Sequence, residues 1–373
     1  MARPRLCVGV KGTLSGMLEL TPHTAANYLR EQGLLGAQEA AEVRELSGGV
    51  SNTVLLVHRP DSPNGDFVLK QALPRLKVQQ EWLCSIERIW REVEVLEICG
   101  SLLASGGRSH LETQPPDTSL SSNWTTTVPQ ILFSDRANFC YAMSAAPAAH
   151  KTWKEQLLAG EANPQIAAAC GTLLGTLHAG SWRDADIAAR LEDRTFFDSL
   201  RLDPYYRRLA VVHPDLADTL HNLIDETYRT RLCLVHGDFS PKNLLISPGQ
   251  IWLIDFEVGH FGDPAFDLGF FLTHLALKAI HVADRRMDYL DLIERFLQTY
   301  RQRLSLATSD DEIADLSRRT AIHWAACMLA RVDGKSPVDY LSVELQSFFR
   351  RIACKLLLQP PREVAEITTC LRR

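Results

Sequence analysis

The sequence predicts an α+β chain of two lobes, a small lobe built on an antiparallel sheet followed by a larger, mostly helical one. Three observations predict it. Short apolar and β-branched runs separated by Gly, Asn and Pro turns crowd residues 41–143. Beyond residue 150, apolar residues recur at helical spacing, as at Ile166, Cys170, Leu173 and Leu177. Inside that helical half, residues 232–269 insert two short apolar runs, 232–235 and 251–254, each leading into an acid, Asp238 and Asp255.

In chain order, Thr21-Pro22 ahead of TAANYLREQGLL predicts a capped helix within an N-terminal extension over 1–40, with Thr21 as N-cap, Pro22 in the first turn and Gly33 near the stop. Residues 41–46 and 53–58 read as strands joined by Ser47-Gly48-Gly49-Val50-Ser51-Asn52. A turn over 61–66 leads into the strand Phe67-Val68-Leu69-Lys70. A helix over 78–99 has its stripe at Trp82, Ile86, Ile89, Val93 and Leu96, with Glu92 on the flank. Residues 101–127, rich in Ser, Thr, Gly and Pro, read as a flexible insertion. Strands over 128–133 and 139–143 complete the small lobe, and 144–150 form a hinge. In the large lobe, 151–373, helices follow over 263–277, apolar nearly all round, then 284–306, 310–330 and 337–358.

At 373 residues the chain can bury two cores. Its 46% hydrophobic and 23% charged residues are ordinary for a globular protein, and a net charge of -5 gives no electrostatic footprint for nucleic acid or an anionic membrane. The nine cysteines are scattered, without a CxxC pair, so reduced thiols and a cytoplasmic location are expected. The N-terminal MARPRLCVGVKGTLSGM has no apolar core long enough for a signal peptide.

The chemistry is concentrated in 232–269. Asn243 follows Asp238 by five positions, and the turn Ser247-Pro248-Gly249 can fold the chain back so that Asn243 meets Asp255. Oxygen ligands of this kind suit magnesium, which takes one or two carboxylates while substrate phosphates complete its shell. An Asp ahead of such an Asn orients an acceptor hydroxyl in phosphoryl transfer and takes its proton. A lone Asp after a strand is more commonly a turn former or cap. The joint spacing of His236, Asp238, Asn243 and Asp255 is what points to catalysis.

HGDFSPKN, IDFE and GDPAFDLG resemble the catalytic core of the aminoglycoside phosphotransferase and choline kinase-like superfamily, small-molecule kinases with a protein-kinase-like fold. Residues 70–74, Lys-Gln-Ala-Leu-Pro, and the helix after them also resemble the methylthioribose kinases of that superfamily. His236-Gly237-Asp238 stands where protein kinases have His-Arg-Asp, and Asp255-Phe256-Glu257 where they have Asp-Phe-Gly. No Ala-Pro-Glu follows. The missing Arg suggests a kinase not switched by activation-loop phosphorylation.

The resemblance implies an active site in the crevice between the lobes, with Asp238 as catalytic base and Asn243 and Asp255 holding Mg2+. It implies that Lys70 positions the phosphates of ATP with Glu92 orienting it, beneath a loop of Gly48, Gly49, Ser51 and Asn52. Read alone, Lys70 could simply snorkel to water, and the Gly-Gly could be a plain hairpin turn. Asp267 would anchor the backbone of the catalytic loop, and Asp263 would cap the helix after it. Glu257 either reaches the ion or faces solvent. Arg201, Asp203 and Tyr205 either brace the fold or line the acceptor pocket, and the loop 331–337 either meets substrate or is solvated. His178 reads as a capping or core histidine. The expected activity is ATP-dependent phosphorylation of a hydroxyl on an aminoglycoside-, amino alcohol- or sugar-like molecule by a monomer or homodimer. The alternatives are a non-catalytic nucleotide-binding descendant of kinases, or a protein kinase.

Overall fold

The computed structural model describes residues 17–46, 52–60, 62–73, 85–106 and 124–372. They fall into two compact units, one of residues 1–89 and 131–145, the other of residues 90–130 and 146–373.

The first unit is a five-stranded antiparallel sheet. It uses β1 (Glu42–Glu45), β2 (Asn52–His58) and β3 (Phe67–Ala72), then, after β4 (Thr125–Thr127) of the other unit, β5 (Ile131–Asp135) and β6 (Cys140–Ser144). The spatial order is β1-β2-β3-β6-β5, which leaves β3 central and buried at every position. The helix Pro22–Glu31 starts on the expected cap, with a reciprocal capping box between Thr21 and Thr24. It buries Ala25, Tyr28 and Leu29 against Leu55, Val57, Leu69 and Ala142 of the sheet.

Several boundaries differ from the sequence reading. The strand expected over 128–133 begins at Ile131, because Pro129 has no N–H to give a ladder. The helix expected over 78–99 runs Arg88–Ala104; residues 74–84, with Trp82, lie outside the described residues, and Ser85 to Glu87 form a turn. Gly100 does not stop this helix, since one interior Gly costs only about 1 kcal/mol. The flexible insertion over 101–127 is correspondingly shorter, its first residues helical and its last forming β4. Three threonines make a strand there because β-branched residues favour extended backbone and the ladder needs no apolar side chains. Residues 107–123 lie outside the described set.

In the second unit β4 pairs in parallel with β10 (Gln250–Leu253), which pairs antiparallel with β9 (Leu244–Ser247), and β9 with β7 (Lys151–Thr152). A separate ribbon joins β8 (Cys233–Val235) to β11 (His260–Gly262). Around these lie the helices Pro164–Gly180, Ala217–Arg229, Ala265–His281, Arg286–Leu304, Asp310–Asp333 and Val343–Leu358. Ala265–His281 is buried along its whole length up to Ile280, which explains its nearly uniform apolar sequence. Among the described residues no single helix is long and apolar enough to cross a membrane. The last long helix starts at Val343 on a Ser342 cap, not at Pro337. The LRLDPYY stretch is a π-helical segment, Asp198–Arg207, accommodating Pro204, which lacks a backbone donor. A C-terminal helix, Val364–Arg372, went unanticipated although Val364, Ile367, Thr368 and Leu371 are spaced to bury one face.

Pro164–Gly180 packs tightly on Arg286–Leu304 at Gly171, where an added Cβ would run into Thr299 Oγ1 and the Phe296 carbonyl. Gly171→Ala is therefore expected to lower stability by about 1–3 kcal/mol, read as a shift of the urea midpoint at unchanged slope.

Candidate active site

The catalytic loop leaves β8 at Val235 and is clamped from below by one carboxylate. Asp267, fully buried in the first turn of Ala265–His281, accepts hydrogen bonds from the backbone N–H of Gly237 at Oδ1 and of His236 at Oδ2, both 2.7 Å. His178 Nε2 lies 3.3 Å from the same Oδ2 while its Nδ1 meets the Tyr300 hydroxyl at 2.8 Å, so His178 is a core histidine that orients the clamp. Burial opposes ionisation of Asp267, but His178 and the His236 amide hold its carboxyl below the usual range. Asp263 does not cap the helix as expected: the N-cap is Pro264, and Asp263, one residue earlier, accepts from Ala265 N at 3.0 Å through Oδ1 while its Oδ2 pairs with buried Arg319 at 2.9 Å.

The Gly of His-Gly-Asp has a steric cause. Gly237 sits at φ +76°, and a Cβ there would lie 2.9 Å from Val258 Cγ2. No Arg fits at this position, and a guanidinium arrives from elsewhere. Arg201 in the π-helical segment donates Nε to the Gly237 carbonyl at 2.7 Å and pairs with Asp238 Oδ1 at 2.9 Å. Sequence reading left Arg201 open between bracing and acceptor binding; it braces the catalytic loop and touches Asp238. Asp203 pairs with Lys335 at the surface, while Tyr205 is buried and meets Arg331 at 3.3 Å.

Asp238 is buried and its carboxylate is crowded by donors. Besides Arg201, Lys242 Nζ lies 2.8 Å from Oδ2, and Asn243 Nδ2 donates to Oδ2 at 2.8 Å and to the backbone carbonyl at 2.9 Å. Burial works against ionisation, yet Arg201 and Lys242 keep the carboxyl well below the usual carboxylate range. The role of Lys242 went unread, though its place four residues after Asp238 was a signal. His236 is buried; its Nδ1 accepts from Asp238 N at 3.1 Å and Nε2 faces the Ile254 carbonyl at 3.3 Å, so the neutral Nε2–H tautomer fits. Burial keeps its pKa down.

The β9–β10 hairpin turns back as expected, and Ile254 N donates to Asn243 O at 3.0 Å, which sets Asp255 beside Asn243. Asp255 is half-buried with φ +71°, a strained conformation that Asp tolerates and that aims its side chain off the strand path. Both Asp255 and Glu257 act on Arg201, favouring its charged form, and Asp255 acts likewise on Lys242. Asn243 spends its Nδ2 on Asp238, which leaves the amide oxygen for a ligand. One amide oxygen and one carboxylate suit a hard cation completed by phosphates, whereas a closed cage of three His, Cys, Asp or Glu is absent among the described residues.

Of the expected nucleotide contacts, Gly48, Gly49 and Ser51 lie outside the described residues. Asn52 opens β2 and is buried; Lys70 on β3 and Glu92 in Arg88–Ala104 are 6% and 1% exposed. A Lys buried to this degree is not snorkelling to solvent.

A model of the phosphotransferase enzyme family matches residues 42–306. Methylthioribose kinase of Escherichia coli O45:K1 is 26% identical over 328 residues, spanning 77% of this chain and 72% of that protein. The 4-hydroxytryptamine kinase of Psilocybe cyanescens is 25% identical over 262 residues, spanning 64% and 68%. The crystal structure of choline kinase from Cryptosporidium parvum superposes with a TM-score of 0.55 at 11% identity, covering 95% of this chain and all of that one, a likeness of bilobal, protein-kinase-like fold.

Replacing the clamp tests this geometry. Asp267→Asn sets an amide donor against a backbone N–H and should cost about 3 kcal/mol at neutral pH. Because the folded-state pKa of Asp267 is depressed, its contribution is present above the unfolded value of about 3.9 and lost as pH falls through the lower folded value. The stability gap between wild type and variant in urea melts should thus be full near pH 7 and shrink below about pH 4.

Proposed function

The chain belongs to the phosphotransferase enzyme family, and from that premise we propose how its residues perform the reaction. It is a small-molecule kinase, transferring a phosphoryl group to an alcohol. We assign ATP as donor and a hydroxyl of a small metabolite or antibiotic-like molecule as acceptor. Asp238 receives the acceptor hydroxyl, orients it toward the γ-phosphorus and takes its proton. Asn243 and Asp255 would hold Mg2+, which supplies neutralisation of the phosphate charge. The roles read from the sequence for Lys70, Glu92 and residues 48–52 at the nucleotide carry over into this proposal.

The observation that supports it most is the sharing of neighbours by Asp238 and Asp255. Arg201, Lys242 and His236 each feel both carboxylates, so the two acids of the motif converge on one set of charges within a single unit. A scaffold that had lost catalysis would have no use for a buried Asp ringed by two cations, because such a group is costly to bury and contributes nothing to nucleotide affinity. No Ala-Pro-Glu follows 255–257, which favours a small acceptor over a protein.

Two substitutions separate the roles. Asp255→Ala is expected to abolish Mg2+-dependent ATP binding in calorimetry. Asp238→Ala should keep nucleotide affinity within a few-fold and lower turnover by about 10³-fold, and normal turnover on an identified acceptor would remove Asp238 from the reaction.

A further inference from the structure

Asp238, the acid to which the proposed reaction brings the acceptor hydroxyl, is covered. Its side chain is 4% exposed, and Oδ2 spends both of its lone pairs, one on Lys242 Nζ and one on Asn243 Nδ2, each at 2.8 Å. Oδ1 faces Arg201 Nη2 at 2.9 Å. A carboxylate enclosed to this degree offers a hydroxyl no approach until one of its three neighbours gives way.

The three are not equally able to move. Asn243 is buried, and its Nδ2 is also tied to the Asp238 backbone carbonyl at 2.9 Å. The Arg201 side chain is 13% exposed and bonded to two further carbonyls, of Gly237 at 2.7 Å and of Leu200 at 2.8 Å. Lys242 differs on each count. Its side chain is 50% exposed, its Nζ makes one ion pair, to Asp238, and its four-carbon stem is flexible. Its backbone is held in the short 3-10 turn Pro241–Asn243, where Asn243 N donates to Ser240 O at 2.9 Å, so the stem can swing while the loop stays. A plain ion pair four residues apart would look similar from this side. The second acid is what sets Lys242 apart: burial opposes its charge, and Asp238 together with Asp255 outweighs that cost. One reachable ammonium therefore feels both the acid that meets the acceptor and the acid beside Asn243.

We propose that Lys242 is a catalytic residue with two positions: it covers Oδ2 of Asp238 in this structure, yields that oxygen to the acceptor hydroxyl, and swings its ammonium onto the γ-phosphoryl group. The proposal rests on the kinase reading and adds a residue to it. Neither partner is stranded by the exchange, because the hydroxyl takes over the hydrogen bond at Oδ2 and the ammonium meets a new anion. In the transfer, the bond from the γ-phosphorus to the bridging oxygen breaks and its electron pair leaves with ADP. The acceptor oxygen bonds to phosphorus and its proton passes to Asp238, while Lys242 keeps its three protons and offsets the charge on the phosphoryl oxygens.

Titration calorimetry on the full chain with Mg2+ tests this through two probes that do not require the acceptor: ADP, and ADP with aluminium fluoride, which mimics the phosphoryl group in flight. Lys242→Met should bind ADP within about threefold of wild type and bind ADP with aluminium fluoride about 100-fold more weakly. Lys242→Arg, which keeps the charge, should recover about tenfold of that loss. A lysine that only steadied the loop would move both affinities alike, and the ADP affinity reports that the variant is folded. Equal losses for the two probes, an unchanged aluminium fluoride complex in Lys242→Met, or aluminium fluoride adding no affinity to ADP in the wild type each overturns the proposal. All three leave the kinase reading standing. That reading fails separately, and takes this role with it, if the wild-type chain shows no Mg2+-dependent binding of ADP.

Discussion

The catalytic loop depends on one buried carboxylate. Asp267 occupies the first turn of a helix with no solvated face, and its two oxygens fasten the backbone of His236 and Gly237. A loop fixed by bonds to its own amides has few ways to relax, because those donors have no other buried acceptor to turn to. The fastening also transmits position. The helix is packed against Asp310–Asp333 so closely that a Cβ at Gly269 would lie 2.7 Å from Trp324 N, so the carboxylate inherits the rigidity of the unit's core. His178 and Tyr300 extend the network to two further helices.

Above the clamp, the loop solves a charge problem with groups from separate segments. Gly237 gives the chain a left-handed turn that a side chain would block against Val258. The Arg201 guanidinium reaches both the Gly237 carbonyl and the Asp238 carboxylate in a planar fork. Its segment is π-helical around Pro204, a distortion that costs backbone hydrogen bonds and is commonly retained where it aims a functional side chain. With Gly at 237, the guanidinium that bonds this loop is supplied by a neighbouring helical segment.

What the sequence made legible was whatever is local. The strands of the five-stranded sheet follow from run lengths and turns, the Thr21 cap from Thr21-Pro22 ahead of an amphipathic run, and the approach of Asn243 and Asp255 from a hairpin whose turn is written in Ser247-Pro248-Gly249. What remained hidden depends on partners distant in the chain. Arg201 and Asp238 are thirty-seven positions apart by number, and nothing in LRLDPYY says which carboxylate it will meet. β4 is three threonines whose strand exists only because β10 runs alongside. Lys278 lies just past the 263–277 helix read from the sequence, and its burial follows only from the helix running on to His281.

The environment of Asp238 bears on what kind of base it would be in the proposed reaction. A carboxylate bonded to Arg201, Lys242 and Asn243 is stabilised as the anion, and so has little appetite for a proton from an alcohol, a far weaker acid. Were the hydroxyl to ionise before attack, such a base would be poorly matched to the task. In a loose, metaphosphate-like transition state little charge leaves the attacking oxygen until its bond to phosphorus is well advanced, and only then does the proton become acidic enough for a weak base to accept. The cations around Asp238 are compatible with that sequence of events and not with early deprotonation. In the proposed reaction this arrangement would make Asp238 chiefly a fixed acceptor for the hydroxyl, with proton transfer following the phosphoryl group, and the acceleration would come from holding the attacking oxygen in line on the loop that Asp267 fastens.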